Sequence, residues 1–261
     1  MEMRQMITKP NSTDRGKRQA KAPQNLNLIS VVAQPEPQPS IKAIKRALAE
    51  RIKDAGRDEI ELTAGKPDSV LDGRHMLFKR HEADAAARWA FDENLQNRRN
   101  VGVSLSIGVM RPYRKPGAYK RELAQLNCVH VNITLPAEKM TCDQQEAWKN
   151  ERGEHFTAHL PNDVPDGFEI VDCASGFTLV WPLSSVLRAT RDNAAHVKDI
   201  NKRLSALLGG RNSYPVSVDS RLHLAGTVAW PTPVEIEQGR TAARVVLERP
   251  ANSVFSLRDF A

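Results

Sequence analysis

Residues 217–232, SVDSRLHLAGTVAWPT, place an acid, a base and an imidazole on alternate positions: Asp219, Arg221 and His223. Alternate residues of an extended strand point to the same face of a sheet, so these three side chains would lie side by side. Gly226 and Thr227 follow, and a glycine there permits a close approach of backbone to a phosphate or to a neighbouring strand. The segment predicts either the floor of a phosphate-handling site or a surface strand with an Asp-Arg pair.

A second polar strand is predicted at residues 128–136, CVHVNITLP. Its residues alternate between an apolar set and a polar set, which is the period of a strand with one buried face. The apolar set is Val129, Val131 and Ile133, and the polar set is His130, Asn132 and Thr134. We expect the polar set to face a site.

The basic segment RPYRKPGAYKRE, residues 111–122, leads directly into this polar strand. Its tyrosines suit stacking on bases, and its cations suit phosphate contacts. These cations are Arg111, Arg114, Lys115, Lys120 and Arg121. Together with Arg221 and the later Arg240, they predict one nucleic-acid cleft, and the alternative is a solvated hairpin loop.

Helices and strands that would position these residues can be predicted from periodicity and caps. Ser40 is a suitable N-cap for a helix that begins at Ile41 and ends at Gly56. Further helices are predicted over residues 80–95, 142–154 and 191–210, and strands over 101–109, 129–134, 168–172, 177–183 and 217–223. Helices and strands are thus mixed, without an internal repeat.

Composition limits the class of protein. The formal net charge of +7 favours a polyanionic partner, nucleic acid before an acidic membrane. Residues 1–39 are basic and then proline-rich, so we predict a disordered basic arm before one folded domain at 40–261. The cysteines are widely spaced without a Cys-x-x-Cys pair, which predicts neither a disulfide framework nor a zinc site. With no apolar segment long enough to cross a bilayer, we expect a cytoplasmic protein without membrane contact.

In their order and strand context, these segments resemble the archaeo-eukaryotic primase superfamily, and within it the RepB-like primase-polymerases of plasmids and phages. The family's second motif corresponds to VDCASGFTLVWPL at 171–183, where Asp172, Gly176, Trp181 and Leu183 match. Its third motif corresponds to 218–231, where Asp219, Arg221, Leu224, Gly226 and Thr227 match. Gly239 and Arg240 resemble the closing Gly-Arg of the family. The resemblance implies an α+β fold with a mixed or antiparallel sheet core of the RRM-like primase-polymerase type, flanked by helices.

The chain departs from this family where chemistry is concentrated. Asn132 and Thr134 stand where the first motif has two metal-binding aspartates, and Thr178 takes the place of a histidine. Nucleotidyl transfer of the implied kind needs Mg²⁺ or Mn²⁺ held by carboxylates. Of the three expected carboxylates only Asp219 remains, so we predict a degenerate site and no certain cofactor or metal.

We therefore expect a DNA-binding, primase-like protein of plasmid or phage replication with little or no nucleotidyl transfer. One alternative is an active primase-polymerase that recruits Asp172 or Glu169 into a rebuilt metal site. Another is a non-catalytic scaffold or inhibitor module that binds protein. The sequence has no GxxxxGK[ST] phosphate loop, so a separate helicase would have to supply unwinding.

Overall fold

The computed structural model describes residues 36–55, 59–67, 73–104, 106–112, 119–209 and 221–261. Most of the predicted arm, the loop tip with Arg114 and Lys115, and Asp219 lie outside the described residues. For Arg111, Lys120 and Arg121 the description covers the backbone.

The described α-helices match the predicted ones and begin at polar caps. They are α1 Ile41–Ala55, α2 Ala83–Leu95, α3 Cys142–Ala158, α4 Arg191–Leu207 and the short α5 Pro233–Glu237, which was not predicted. The hydroxyls of Thr141 and Thr190 accept hydrogen bonds from backbone N–H groups in the first turns of α3 and α4. Ser40 does the same for α1, where its Oγ lies 3.4 Å from the backbone nitrogen of Ala43. Each cap satisfies a donor that the helix itself cannot.

The strands form two main sheets and a small ribbon. In chain order they are β1 Glu59–Gly65, β2 Gly73–Lys79, β3 Asn100–Ser104, β4 Ser106–Pro112, β5 Tyr119–Thr134, β6 Glu169–Cys173, β7 Gly176–Arg188, β8 Arg221–His223, β9 Val228–Ala229, β10 Ala243–Arg244 and β11 Val246–Arg249. The first sheet has the order β2-β1-β3-β8, the second β11-β6-β7-β5-β4, and β9 pairs with β10. All paired strands are antiparallel. The predicted α+β class with sheets flanked by helices is confirmed.

The single strand predicted over 101–109 is wrong, because this segment belongs to two sheets. β3 pairs with β1 and β8, whereas β4 pairs with β5. The apolar alternation of the sequence continues from β3 into β4, so periodicity alone could not reveal the change of sheet. The crossing links the two sheets within a few residues.

Two hydrophobic cores lie on opposite faces of the second sheet. The first core joins α1 and α2 to the first sheet and to one face of the second, through Cys128, Val171 and Val180. The second core joins α3 and α4 to the other face, through Val129, Val131, Ile133, Leu179 and Trp181. The predicted apolar set of β5 therefore faces α3 and α4, and the predicted polar set faces the side of α1.

Residues 36–39, which composition assigns to the arm, contact the folded domain. Glu36 pairs with Arg98 at 3.0 Å, and the carbonyl oxygen of Gln38 accepts from Arg244. The backbone N–H of Ser40 then donates to the carbonyl of Gly226 at 2.7 Å. These contacts fasten the chain immediately before α1.

No helix in the described part of the chain combines the length and apolar character needed to cross a bilayer.

Candidate functional site

The residues predicted from the first two motifs meet on adjacent strands. Asn132 of β5 lies opposite Thr178 of β7, and Thr134 lies opposite Gly176. The hydroxyl of Thr178 donates to the side-chain oxygen of Asn132 at 2.9 Å. Asn132 and Thr134 are exposed, whereas Thr178 is almost buried. We call Asn132, Thr134 and Thr178 the polar patch.

The polar patch is the open end of a face that is otherwise buried. His130 lies opposite Val180, which in turn lies opposite Glu169, and all three are buried. Burial lowers the pKa of His130 to about 4, so its imidazole is neutral near pH 7. The face changes within two residues of β5 from a packed interior to a surface that a ligand can reach.

The chemistry that the polar patch can perform is limited by its charge. It offers an amide and two hydroxyls, which are neutral groups, whereas Mg²⁺ and Mn²⁺ are held in proteins mainly by carboxylate oxygens. The hydrogen bond between Thr178 and Asn132 also occupies the amide oxygen that would be the best remaining ligand. The patch is suited to hydrogen bonding and poorly suited to holding a dication.

The acids that could rebuild a metal site are engaged elsewhere. Asp172 lies opposite Phe177, so it belongs to the α3 side of the sheet, where it pairs with Lys149. Burial raises the pKa of Asp172, and Lys149 opposes that rise. Glu169 is buried and pairs with the equally buried Arg51 of α1. Among the described residues, no group of three or more His, Cys, Asp or Glu side chains is arranged to hold a metal ion.

The third predicted segment supplies β8 to the first sheet. Leu222 is buried in the first core, while Arg221 and His223 lie on the opposite face, as the alternation predicted. An Arg221 guanidinium nitrogen lies 3.3 Å from Nε2 of His75. Burial lowers the pKa of His223, and the carboxylate of Glu235 opposes this effect.

Gly226 and Thr227, expected to approach a phosphate or a neighbouring strand, form a turn inside the fold. The turn packs against the start of α1, where a Cβ on Gly226 would lie 2.5 Å from the backbone nitrogen of Ile44. The N–H of Gly226 donates to the carbonyl of Val245 and that of Thr227 to the carbonyl of Leu224. Both amides are therefore committed inside the protein, and the glycine is needed because its φ is +93°. The sequence suggested that the turn approaches either a phosphate or a neighbouring strand. The structure contains a close approach to neighbouring backbone.

Arg240 was expected to contact nucleic acid, and the structure places its side chain in a buried position. Its guanidinium donates to the carbonyl of Pro136, two residues after Thr134. Burial lowers the pKa of Arg240, and Glu235 opposes this effect. A role of Arg240 in nucleic-acid binding stays a prediction.

The basic hairpin and the polar patch lie at opposite ends of one strand. Arg111 of β4 pairs in register with Lys120 of β5, and Met110 with Arg121. Lys120 and Asn132 are both in β5, and twelve residues of strand span about 40 Å. The paired residues Arg111 and Lys120 therefore lie far along β5 from the patch, and the loop tip that the sequence places in the same cleft is outside the described residues.

A cavity of about 250 Å³ on the first sheet was missed by sequence reasoning. Arg221 and His223 line it together with residues of β1 and β3 and the chain after β1: Thr63, Gly65, Lys66, Asn100 and Gly102. The alternation of apolar and polar residues in EIELTA, residues 59–64, indicates a strand there but not the pocket, which forms only when that strand pairs with β3. We call this cavity the sheet pocket.

Comparison with known proteins gives a likeness to solved primases. No family model matches the sequence, and no curated protein matches it. The crystal structure of primase RepB' matches over 81% of this chain and 58% of its own, with a TM-score of 0.46 and 11% identity. The catalytic domain of primase RepB' in complex with initiator DNA matches over 81% of this chain and 87% of its own, with a TM-score of 0.43 and 14% identity. Both are of the primase type that the sequence motifs resemble, and the chain spans little more than half of the first.

Proposed function

We propose that this protein binds DNA through a primase-like domain whose nucleotidyl-transfer site is inactive. The observation that carries the proposal is the hydrogen bond from Thr178 to Asn132, at the positions where the resemblance implies a histidine and a metal-binding aspartate. Two neutral groups that satisfy each other cannot replace a carboxylate and an imidazole in organising a metal and a triphosphate.

The engagement of nearby acids argues against a rebuilt active site. Asp172 would have to leave Lys149 and cross to the other face of the second sheet. Glu169 would have to leave Arg51, and breaking a buried pair costs about 3–5 kcal/mol. An active enzyme is therefore the weaker candidate.

DNA is the proposed partner because of the amount and placement of positive charge. The chain carries a formal charge of +7, and the β4–β5 hairpin brings Arg111 opposite Lys120 with Arg121 beside them in sequence. The stretch of β5 from Lys120 to Asn132, about 40 Å long, slightly exceeds one turn of B-DNA, so a duplex along it would reach from the hairpin to the polar patch. In this proposal the protein acts in plasmid- or phage-type replication in the cytoplasm, with a separate helicase.

Fluorescence anisotropy with single- and double-stranded oligonucleotides across a salt series tests this function. Replacing Arg114 and Lys115 with alanine should weaken binding by about 1–3 kcal/mol, the range for lost charged hydrogen bonds. The matched control replaces Lys198 and Lys202 of α4, on the far side of the second sheet from α1. Equal losses in the two variants would show a diffuse charge effect, and no DNA binding by the parent protein would favour the protein-scaffold alternative.

A further inference from the structure

The sheet pocket lies over the polar face of the first sheet. Thr63, Gly102 and His223 lie in one cross-strand row, on the face opposite Leu62 and Leu222 of the first core. Gly102 stands at the centre of this row. A Cβ there would lie 3.1 Å from the carbonyl oxygen of Leu222 and 3.4 Å from Oγ1 of Thr63, so the neighbouring strands already crowd the glycine. Groups that bind a ligand must therefore come from the side chains around it.

Two cationic residues line the sheet pocket. Lys66 follows β1 immediately and is exposed, and Arg221 is exposed at the start of β8. His75 holds the Arg221 guanidinium: its Nε2 lies 3.3 Å from an arginine nitrogen, and its Nδ1 lies 3.5 Å from Oε1 of Glu61. With a proton on Nδ1, the His75 ring accepts from Arg221 and donates towards Glu61, which orients the guanidinium.

The size of the pocket restricts its ligand. Its volume of about 250 Å³ is below the roughly 300–1,000 Å³ typical of sites that enclose whole small molecules. It can therefore take one group of a larger ligand. A lysine and an oriented arginine favour a compact anion with several acceptor oxygens, since a guanidinium binds phosphate through two parallel hydrogen bonds.

We infer that the sheet pocket binds a phosphate group, with Lys66 and Arg221 as its cationic ligands. This inference rests on the proposed function, because the phosphate would come from a nucleoside triphosphate or from the backbone of bound DNA. It assigns a binding role to Lys66, which the sequence motifs did not include.

The test uses the full chain, the Lys66→Ala/Arg221→Ala variant, and the Lys198→Ala/Lys202→Ala variant as a control with the same loss of charge. Calorimetric titration with dTTP measures the affinity for free nucleotide. Anisotropy of labelled single-stranded dT20 measures the affinity for DNA, and circular dichroism confirms that each variant is folded. Removing both pocket cations should weaken the binding of at least one of the two ligands by about tenfold or more, because the charged hydrogen bonds to the phosphate would be lost. The control should change the affinity for either ligand by less than about threefold.

The dTTP and dT20 titrations distinguish the two sources of the phosphate. They also test the pocket and the proposed function separately. A loss confined to dTTP assigns the pocket to free nucleotide, and a loss for dT20 assigns it to the DNA backbone. Affinities for both ligands that match the control variant would overturn the pocket while leaving DNA binding intact. A parent protein that binds dTTP through the pocket but binds no DNA would overturn the proposed function and leave the pocket standing.

Discussion

The polar patch is neutral and fits the sheet without a bound cation. Thr178 and Asn132 occupy directly opposed positions, and their side chains hydrogen bond as cross-strand pairs do in any antiparallel sheet. Carboxylates at 132 and 134 would instead repel each other unless a cation lay between them.

Restoring carboxylates at the patch should create metal binding. The Asn132→Asp/Thr134→Asp variant gains two carboxylates at exposed positions of β5, where a cation from solvent can reach them. We expect it to bind Mn²⁺ more tightly than the parent in calorimetric or paramagnetic-resonance titrations, because carboxylates are the preferred ligands. Asn132→Asp alone serves as the control and should gain less. Tight Mn²⁺ binding by the parent that is lost in Asn132→Ala would show that the neutral patch is itself a metal site.

The buried imidazole of His130 should make the fold sensitive to acid. Its pKa is about 4 in the folded protein, below the ordinary value of 6.5, so the unfolded chain binds more protons between these pH values. Stability is then lost as the pH falls from about 6.5 towards 4. Between pH 7 and pH 5 this single group should account for about 2 kcal/mol of lost stability.

Urea unfolding at pH 7 and pH 5 measures this effect. The His130→Leu variant should lose about 2 kcal/mol less than the parent over this interval, because no imidazole remains to be protonated. An equal loss in parent and variant would mean that His130 is protonated at the same pH in both states. His223, whose pKa is also lowered, acts in the same direction in both proteins.

At the scale of elements, α1 is the part that joins the two sheets. Ile44 and Leu48 are fully buried in the first core, and Arg51 reaches Glu169 of β6. The turn at Gly226 packs against the same helix, and its carbonyl accepts from Ser40 at the helix start. The third sequence motif therefore fastens the helix that supports the patch-bearing sheet.

Replacing Gly226 should cost stability more than it changes DNA affinity. Gly226→Ala would force a side chain into a φ of +93° and place its Cβ 2.5 Å from the backbone nitrogen of Ile44. Backbone strain of this kind costs about 1–3 kcal/mol, and the contact adds to it. Thermal or urea unfolding measures the loss. Gly153→Ala in α3 is the matched control, since no atom lies within 4 Å of its Cβ and alanine should stabilise the helix by about 0.5–1 kcal/mol. Unchanged stability together with a loss of DNA affinity would show that Gly226 contributes to DNA binding.

The sequence was most informative where local chemistry determines an element. Ser40 and the spacing of Ile41, Ile44 and Leu48 were sufficient to place α1, because a cap and a helical period depend on neighbouring residues. The edge strand β2 has no such signal, since Met76 and Leu77 are both exposed although they are adjacent.

The meeting of Asn132 with Thr178 could be predicted from the motifs. The sheet pocket could not, because it depends on the pairing of strands far apart in the sequence.

At the scale of the whole molecule, positive charge is divided between the folded domain and the residues before it. Six cations precede residue 22, namely Arg4, Lys9, Arg15, Lys17, Arg18 and Lys21. Residues 36–39 contact the domain, so a deletion that keeps them leaves the start of α1 intact.

Deleting residues 1–35 should weaken DNA binding similarly for every DNA sequence. Phosphate contacts do not depend on the DNA sequence, and each one lost lowers the slope of log affinity against log salt by about 0.7–0.9. Anisotropy with several oligonucleotides across a salt series measures both quantities. A loss that depends on DNA sequence would mean that the arm reads bases in a groove.

The inactivity of the nucleotidyl-transfer site is tested most directly by template-directed incorporation of labelled deoxynucleotides. The parent protein is assayed on a primed template at a concentration that saturates DNA binding, with Mg²⁺ and separately with Mn²⁺. The neutral patch and the engaged acids Asp172 and Glu169 predict template binding without product. Product that grows with protein concentration and disappears in the Asp219→Ala variant would contradict the account, because it would show a working metal site built around that carboxylate.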